Sequence, residues 1–264
     1  MMENSGVVKL FPAGTRIVRL FAEPELSPLP TWDDAGMMLC KSRSRGRAVC
    51  GNGVFLKEYV YRSLWDRFRR RFRTPRPFVS LAAARRLAAL GVPTPRVLAA
   101  ACGMSPDGEL RDLLVTSELP SAVRFGDKLA AELGEERAAL ARELVPVVFL
   151  MHENGFLHGD LSLRNWYRLP DGKWGLIDLD GAAVCRRKAS TARRMDELAR
   201  LASSCFVAAT RPEDGLAELT GFIRVFLDEY AGRGGAVSPR RFARRSRELA
   251  DRFRIKYLKM DVLK

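Results

Sequence analysis

The residues best suited to chemistry in this chain are two carboxylates and an amide that lie close together in the sequence. Asp160 and Asn165 are five positions apart, and Asp178 follows thirteen residues after Asn165. A carboxylate can accept or orient a hydroxyl proton, and the oxygens of Asn and Asp are hard ligands of the kind that bind Mg²⁺. Together these groups suit phosphoryl transfer from a nucleotide, which depends on positioning and charge stabilisation more than on covalent chemistry.

A hairpin is predicted to bring Asn165 and Asp178 together. Residues 166–169 and 174–177 are apolar enough to form two short strands, and the Pro-Asp-Gly-Lys sequence of residues 170–173 is typical of a turn. The two ends of a hairpin lie side by side. Asn165 and Asp178 are therefore expected on the same side, as ligands of a shared cation require.

Two motifs carry a family resemblance. The sequence His-Gly-Asp-x-x-x-x-Asn that ends at Asn165, followed by Asp-Leu-Asp from Asp178, resembles the catalytic and metal-binding loops of the protein-kinase-like superfamily. The resemblance is closest to its bacterial lipopolysaccharide kinase branch, which phosphorylates Kdo or heptose of the inner core. Gly159 stands where protein kinases have Arg, and Asp180 stands where they have Gly. Both departures fit a substrate that is not a protein.

The resemblance implies a role for each residue of the two motifs. Asp160 is the expected catalytic base, and His158 is expected to orient its loop. Asn165 and Asp178 are the expected Mg²⁺ ligands, while Asp180 would assist a second metal or orient the substrate. The alternative is that these Asp and Asn residues are turn formers only.

The family also places a phosphate-binding lysine on a strand near the N-terminus. Residues 54–61 are rich in β-branched and aromatic side chains and follow the Gly-Asn-Gly turn of residues 51–53, which predicts a strand. Lys57 lies in its middle and is the candidate contact for the phosphates of ATP. An ordinary solvated lysine is the alternative.

Two earlier segments, 37–40 and 47–50, are predicted to form the first strands of the same sheet. The basic link between them, residues 41–46, contains a single glycine rather than a glycine-rich repeat. Its backbone N–H groups, with Arg43 or Arg45, would cover the phosphates. An exposed basic hairpin without this role is the alternative.

One part of the family pattern is missing. A glutamate that pairs with the lysine is expected on the next helix, yet the helix predicted for residues 78–90 contains no acidic residue, and Ser80 occupies the aligned position. Either Glu58 or Asp66 positions Lys57 instead, or catalytic competence is reduced. The second possibility keeps a non-catalytic function open.

A strand pair at residues 96–102 and 111–117 is predicted to lead into the connection between two lobes. By resemblance, backbone groups of Ser117, Glu118 and Leu119 would read adenine, although an ordinary strand and loop are an alternative. The expected fold is an α+β, two-lobed, protein-kinase-like fold. Its N-lobe, residues 1–117, would be a small antiparallel sheet, and its C-lobe, residues 118–264, would be mainly helical.

The C-lobe is predicted to contain four helices. They are expected over residues 134–154, 193–208, 212–232 and 238–264. His152 on the first helix is interpreted as structural, because no matching Cys or His spacing points to zinc. Asp196 on the second helix is a candidate brace for the catalytic loop, with a surface cap or ion pair as an equal alternative.

Composition limits the class of protein further. A chain of 264 residues can bury a sizeable core, and five scattered cysteines give no disulfide framework, so a reducing cytoplasm is expected. No stretch reaches the length of roughly 20 apolar residues that crosses a bilayer. We therefore expect a cytoplasmic protein, with peripheral attachment to the inner face of the inner membrane as an open alternative.

The net charge of +14 and the pI near 10.1 call for an anionic partner. Residues 62–73 predict a helix with an aromatic stripe surrounded by arginines, which is typical of a helix at an anionic membrane surface. The basic run 240–247 adds a second face. Burial of the stripe in the small lobe is the alternative. Nucleic acid is not expected, since no nucleic-acid-binding motif accompanies the charge.

The resemblance implies an ATP- and Mg²⁺-dependent kinase that transfers the γ-phosphate to a sugar hydroxyl of the lipopolysaccharide inner core, on Kdo or heptose. One alternative is a kinase for another small molecule, of the aminoglycoside or metabolite type. The other is a non-catalytic kinase-fold module that binds anionic membrane or nucleic acid.

Overall fold

The chain folds into two compact units, which are described separately. The computed structural model describes residues 5–23, 31–43, 46–121, 123–126, 137–209 and 219–261. Unit 1 comprises Met1–Arg85 and Pro95–Ser121, and unit 2 comprises Arg86–Thr94 and Ala122–Lys264.

Unit 1 is built on a six-stranded antiparallel sheet. Its strands are β1 (Arg16–Ala22), β2 (Met38–Arg43), β3 (Gly46–Gly51), β4 (Val54–Tyr61), β5 (Val97–Met104) and β6 (Leu110–Ser117). They lie in the order β1-β5-β6-β4-β3-β2. The central strands β4, β5 and β6 have the most buried side chains, as expected for a sheet covered on both faces.

The N-terminal segment covers one region of this sheet. Helix α1 (Ser5–Val8) and the residues after it contribute Val7, Leu10 and Phe11 to a core that includes Leu56 and Val115 of the central strands. The indole N–H of Trp32 donates to the carbonyl oxygen of Leu10 at 2.8 Å. This bond satisfies the polar atom of a buried indole.

Two helices follow β4. Helix α2 (Leu64–Arg71) starts at the N-cap Ser63, whose hydroxyl accepts from the N–H of Asp66, and helix α3 (Arg76–Ala89) follows after a short turn. The C-terminal turn of α3 leads into Gly91, which has a φ of 71°. A positive φ after the last helical turn is typical of a glycine-terminated helix.

Unit 2 is mainly helical. Its helices are α4 (Arg137–Glu153), α5 (Thr191–Ala209), α6 (Leu219–Gly232) and α7 (Pro239–Asp261). Helix α5 packs against α7, and α4 packs against α6. The buried face of α4 includes Leu140, Leu144, Val148 and Met151, as its helical periodicity predicts.

Short strands beside these helices hold the motif residues. They are β7 (Arg124–Phe125), β8 (Phe156–Leu157), β9 (Trp166–Arg168), β10 (Trp174–Leu176) and β11 (Ala183–Val184). β9 pairs with both β10 and β7, and β8 pairs with β11. The segment before β5 supports β10, because Leu176 N–H donates to Pro93 O at 2.9 Å and Thr94 Oγ1 donates to Leu176 O at 2.8 Å.

The predicted α+β class with an antiparallel N-terminal sheet is confirmed, and β4 has the predicted bounds. The strands predicted at 37–40 and 47–50 form, but β2 and β3 are longer. Strand β1 was missed, because none of its side chains is buried and it contains two arginines. In the described part of the chain, no helix is both long and apolar enough to span a membrane.

Candidate active site

The loop after β8 carries the predicted catalytic residues and is fixed by one buried glutamate. Glu197 on α5 accepts hydrogen bonds from the N–H of His158 at 3.1 Å and the N–H of Gly159 at 2.5 Å. It also lies 3.2 Å from Nε2 of His152. A carboxylate that accepts from successive backbone N–H groups sets the conformation of the loop that contains them.

The environment of Glu197 favours its ionised form. Burial alone would raise its pKa, but hydrogen bonding to His152 and to the Gly159 N–H outweighs burial, so the pKa lies below the ordinary value of 4.5. Of the two roles considered for Asp196, the ion pair is the one that the structure shows, and the neighbouring Glu197 acts as the brace. Asp196 forms a bidentate ion pair with Arg241, with distances of 2.6 and 3.1 Å.

We name residues 158–165 the catalytic loop and residues 177–181 the metal-binding loop after the roles predicted for them. His158 joins these two loops. Its imidazole is fully buried, with Nε2 3.0 Å from the carbonyl oxygen of Ile177 and Nδ1 3.3 Å from the N–H of Asp160. A carbonyl can only accept, so Nε2 carries the proton and Nδ1 accepts. The two bonds place Asp160 and the residue preceding Asp178 around one ring.

Gly159 has a local structural reason to be glycine. Its φ is 81°, and a Cβ atom at this position would collide with the carbonyl oxygen of Gly181. A side chain is excluded both by the backbone conformation and by the close approach of the metal-binding loop. The arginine that protein kinases have here could not be accommodated in this backbone arrangement.

Asn165 is held at the start of the predicted hairpin. Its Nδ2 donates to the carbonyl oxygen of Asp160 at 2.8 Å, and its own carbonyl accepts from the N–H of Ile177 at 2.9 Å. β9 and β10 pair antiparallel with Trp166 opposite Leu176, as predicted. The hairpin thus places Asn165 across from the residue before Asp178, with the amide nitrogen facing Asp160.

Asp178 has an unusual backbone conformation. It is a non-glycine residue with φ 60° and ψ 56°, in the left-handed region, and it precedes a single turn of 3₁₀-helix, Leu179–Gly181. Such conformations are uncommon outside glycine and cluster at functional sites. The side chain of Asp178 is exposed and that of Asp180 is half-buried.

The donor set of these loops fits Mg²⁺. The amide nitrogen of Asn165 donates to the carbonyl oxygen of Asp160, so the amide oxygen is the atom that a cation would meet, and Asp178 and Asp180 add carboxylates. Among the residues that the structure describes, no three His, Cys, Asp or Glu side chains cluster as a metal cage. Mg²⁺ is typically bound by one or two carboxylates together with substrate phosphates rather than by an all-protein cage.

Asp160 lies between two arginines that the sequence reasoning did not include. Arg200 of α5 donates from Nε to Oδ1 at 2.6 Å, and Arg164 donates to Oδ2 at 3.3 Å. The carboxylate is about one-third exposed, so it remains open to solvent. The signal for Arg164 was its position four residues after Asp160, whereas Arg200 is distant in sequence and had none.

In unit 1, Lys57 and Glu58 lie on opposite faces of β4. Glu58 is buried and pairs with Arg111 at 2.8 Å and with Arg47 at 3.4 Å. The ammonium of Lys57 lies 5.0 Å from the centre of the Tyr59 ring. Since neighbouring side chains of a strand point in opposite directions, Glu58 faces these arginines on the side of β4 opposite Lys57. The other suggested partner, Asp66, lies in the first turn of α2.

Ser80 occupies the centre of a buried region of α3. It is 2% exposed, and its hydroxyl has no hydrogen-bond partner among the described residues. Helix α3 contains no acidic residue, so it cannot supply the carboxylate that the family pattern places there.

The backbone at the predicted adenine contact is partly engaged within unit 1. The N–H of Ser117 donates to Arg96 O at 2.8 Å, and the N–H of Glu118 donates to Gly53 O at 2.9 Å. Arg45 lies outside the described residues, as does the side chain of Arg43 at the end of β2.

His152 is structural, as predicted. It is fully buried, with Nδ1 2.9 Å from the hydroxyl of Tyr230 and Nε2 facing Glu197. The imidazole thereby links α4, α5 and α6 behind the catalytic loop.

The antiparallel sheet of unit 1, the helices of unit 2 and the pair of joined loops define a kinase-like fold. The model of the lipopolysaccharide kinase (Kdo/WaaP) family matches residues 43–225, and the chain belongs to that family.

The fold agrees with that of a solved structure. WaaP in complex with acyl carrier protein is 21% identical, with a TM-score of 0.57, and the match covers 90% of this chain and 98% of that one. A glucosamine kinase is 14% identical, with a TM-score of 0.42, and the match covers 86% of this chain and 74% of that one. No curated protein sequence matches.

Proposed function

We propose that this protein is an ATP-dependent kinase that transfers the γ-phosphate to a hydroxyl of Kdo or heptose in the lipopolysaccharide inner core. Membership of the lipopolysaccharide kinase family supports this reaction class. The observation that carries the proposal is the joined pair of loops, in which His158 holds Asp160 beside the backbone that leads into Asp178.

In this proposal Asp160 orients the acceptor hydroxyl and receives its proton. The carboxylate is exposed enough to meet a substrate, while Arg164 and Arg200 fix its direction. Glu197 and His158 keep the loop in place by hydrogen bonds to its backbone. Little free energy is therefore spent on orienting Asp160 before the reaction. His158 acts through Asp160 and is a positioning residue.

Asn165, Asp178 and Asp180 are the proposed Mg²⁺ ligands. When bound, the ion neutralises charge on the transferring phosphoryl group. The residues contribute hard oxygens from the two ends of one hairpin, so the β9–β10 pairing sets their separation. The left-handed backbone conformation of Asp178 sets the direction in which its side chain leaves the backbone.

The proposed nucleotide contacts lie in unit 1. Lys57 would pair with the phosphates, Arg43 and Arg45 would cover them, and backbone groups of Ser117, Glu118 and Leu119 would read adenine. Residues 1–117 would bind the nucleotide, and residues 118–264 would carry the catalytic residues and the metal ligands. Because ATP is supplied in the cytoplasm, the protein would work there, on the inner face of the inner membrane.

The arginines around Asp160 suit an acidic acceptor. Guanidinium groups recognise carboxylates and phosphates through paired hydrogen bonds. Kdo is a sugar acid, and heptose of the inner core can carry phosphate. An anionic group of the acceptor would accept some of the hydrogen bonds that Arg164 and Arg200 donate to Asp160.

The test is transfer of radiolabelled γ-phosphate from Mg-ATP to purified inner-core glycolipid, beside a panel of soluble sugars and aminoglycosides. Label on the glycolipid, lost when the core sugars are removed by mild acid, is the expected result. Label confined to a soluble acceptor would replace the proposal with a metabolite kinase.

A non-catalytic kinase-fold module is the second candidate, and two observations favour it. Helix α3 has no acidic residue, and Glu58 is engaged by Arg47 and Arg111. No label on any acceptor, together with normal Mg-ATP binding by calorimetry, would support this candidate.

A further inference from the structure

Helix α2 exposes its apolar side chains. None of its residues is buried, and four large side chains in and directly after it are between 55% and 82% exposed. We call them the apolar stripe: Leu64, Trp65, Phe68 and Phe72. The aromatic rings of the stripe contact each other, with Trp65 stacked on Phe68 at 5.9 Å and Phe68 edge-on to Phe72 at 5.1 Å between ring centres. A surface helix of a globular protein normally has the reverse orientation.

The charged face of α2 is the one attached to the protein. Arg70 donates to both carboxylate oxygens of Asp112 at 2.8 and 3.0 Å, and Asp112 is almost fully buried. The hydroxyl of Tyr61 donates to the same carboxylate at 3.0 Å, and Arg67 donates to the carbonyl oxygen of Tyr61 at 3.2 Å. These bonds hold the helix to strands β4 and β6, so the outward direction of the stripe is built into unit 1.

Arginines flank the apolar stripe on both sides. With about 100° of rotation per residue, Arg71 lies next to the Leu64 edge of the stripe, and Arg69 lies next to the Trp65 edge. The guanidinium of Arg69 is 5.9 Å from the centre of the Trp65 ring. Within residues 62–73 there are six arginines and a single acidic residue, Asp66. The surface is thus apolar in its centre and cationic at its rim.

We propose that α2 docks this protein on the surface of an anionic phospholipid bilayer. Aromatic and leucine side chains would enter the boundary between headgroups and acyl chains, while Arg69 and Arg71 would meet lipid phosphates. The inference rests on the proposed function, because a lipid-linked acceptor gives the docking its purpose. The charge of the rim favours anionic lipid over an uncharged apolar partner. Such a partner would desolvate the arginines without offering them an anion.

The second basic segment lacks this combination. On α7, Arg241 pairs with Asp196, and both Arg244 and Arg245 pair with Glu248. The large aromatic side chain of that segment, Phe242, is buried. The predicted second basic face is therefore partly neutralised and has no apolar stripe, so α2 is the docking surface that the structure favours.

Trp65 gives a direct readout of docking. The chain has four tryptophans, and Trp65 is 63% exposed whereas Trp32, Trp166 and Trp174 are at most 9% exposed. Entry of Trp65 into lipid should shift the emission of the full-length protein to the blue, and brominated phospholipid should quench it. The Trp65→Phe variant keeps the stripe, so it should bind vesicles without giving the shift.

The experiment compares vesicles of phosphatidylcholine alone with vesicles that also contain phosphatidylglycerol, by flotation and by fluorescence. Wild-type protein should bind the anionic vesicles, and added salt should weaken binding. Phe68→Glu should weaken it at least about tenfold, and the pair Arg69→Gln with Arg71→Gln roughly thirtyfold, from the loss of two interfacial charges. Val18→Glu, at an exposed apolar residue of β1, is the matched control and should bind normally.

Three results would overturn the proposal. They are equal binding by wild type and Phe68→Glu, no binding of wild type to anionic vesicles, or a Trp65 shift with a soluble acidic polypeptide but not with vesicles. Phosphoryl transfer to a lipid-free core oligosaccharide is measured in parallel. It should be unchanged in Phe68→Glu, so a failure of docking is distinguishable from a failure of the proposed kinase reaction.

Discussion

Two buried glutamates, one in each unit, show how differently the two halves are built. Glu58 on β4 and Glu197 on α5 are each 8% exposed. Glu197 binds the backbone of the catalytic loop, whereas Glu58 binds two arginine side chains of its own sheet. In unit 2 a buried charge positions a functional loop, and in unit 1 a buried charge stabilises the strands. A buried carboxylate next to a motif residue is therefore not evidence that it serves that residue.

Removal of the charge at Glu197 should have the largest effect. Glu197→Gln places an amide N–H₂ against a backbone N–H, so we expect phosphoryl transfer to fall about 100-fold and the free energy of unfolding to fall by about 3 kcal/mol. Asp196→Asn is the matched control on the adjacent residue and should cost less than about 1 kcal/mol, since its ion pair is at the surface. Turnover and urea denaturation measure the two effects. Equal losses of turnover and stability in the two variants would show that Glu197 is no more important for the loop than the surface ion pair of Asp196.

A side chain at Gly159 should disturb the same loop on the side that faces Gly181. In Gly159→Ala the positive φ and the collision with Gly181 O should lower the free energy of unfolding by about 3 kcal/mol and turnover by about tenfold. Gly172→Ala is the control, because Gly172 also has a positive φ but an added Cβ would meet only the Nη2 atom of Arg168, at an ordinary contact distance of 3.8 Å. Its cost should be about 1 kcal/mol, from backbone strain alone. Similar values for the two variants would show that the loops do not approach closely.

The glutamate of unit 1 should affect stability without affecting nucleotide binding. Glu58→Gln weakens the pairs with Arg47 and Arg111 and should lower the free energy of unfolding by about 2 kcal/mol. The KM for Mg-ATP should change less than about threefold, because Glu58 and Lys57 point to opposite faces of β4. Lys57→Ala should raise that KM at least about tenfold. A rise in KM of the same size in Glu58→Gln would restore Glu58 as the partner of Lys57.

The pH dependence of stability gives the smallest effect. Because the pKa of Glu197 is lowered on folding, its contribution to stability is full above the ordinary value of 4.5 and is lost as the pH falls below it through the folded-state pKa. The difference in unfolding free energy between wild type and Glu197→Gln should therefore be constant near neutral pH and shrink below pH 4.5. A difference that grows on acidification would contradict the assigned charge state.

Much of the site was predictable, because it depends on local rules. The β9–β10 hairpin follows from apolar runs around a Pro-Asp-Gly turn, and strand β4 follows from β-branched residues after an Asn-Gly turn. Both patterns act over a few residues. Once the hairpin forms, Asp160, Asn165 and Asp178 lie close together.

The remaining features depend on tertiary contacts that sequence patterns do not specify. Asp196 and Glu197 differ by about 100° around α5, and only the packing of that helix shows which one faces the loop. The stripe on α2 predicts an amphipathic helix but not its orientation, which Asp112 determines from a distant strand. Arg200 reaches Asp160 in the same way, from forty residues away.

Asp160 is proposed to accept the proton of the acceptor hydroxyl in a kinase reaction. The most direct test is γ-phosphate transfer from Mg-ATP to inner-core glycolipid. It compares wild type with Asp160→Asn and with Asp171→Asn, where Asp171 is an exposed turn residue. Asp160→Asn should lose activity at least about 1,000-fold with Mg-ATP affinity unchanged, and Asp171→Asn should match wild type. An Asp160→Asn protein that transfers phosphate at a rate near that of wild type would contradict the account.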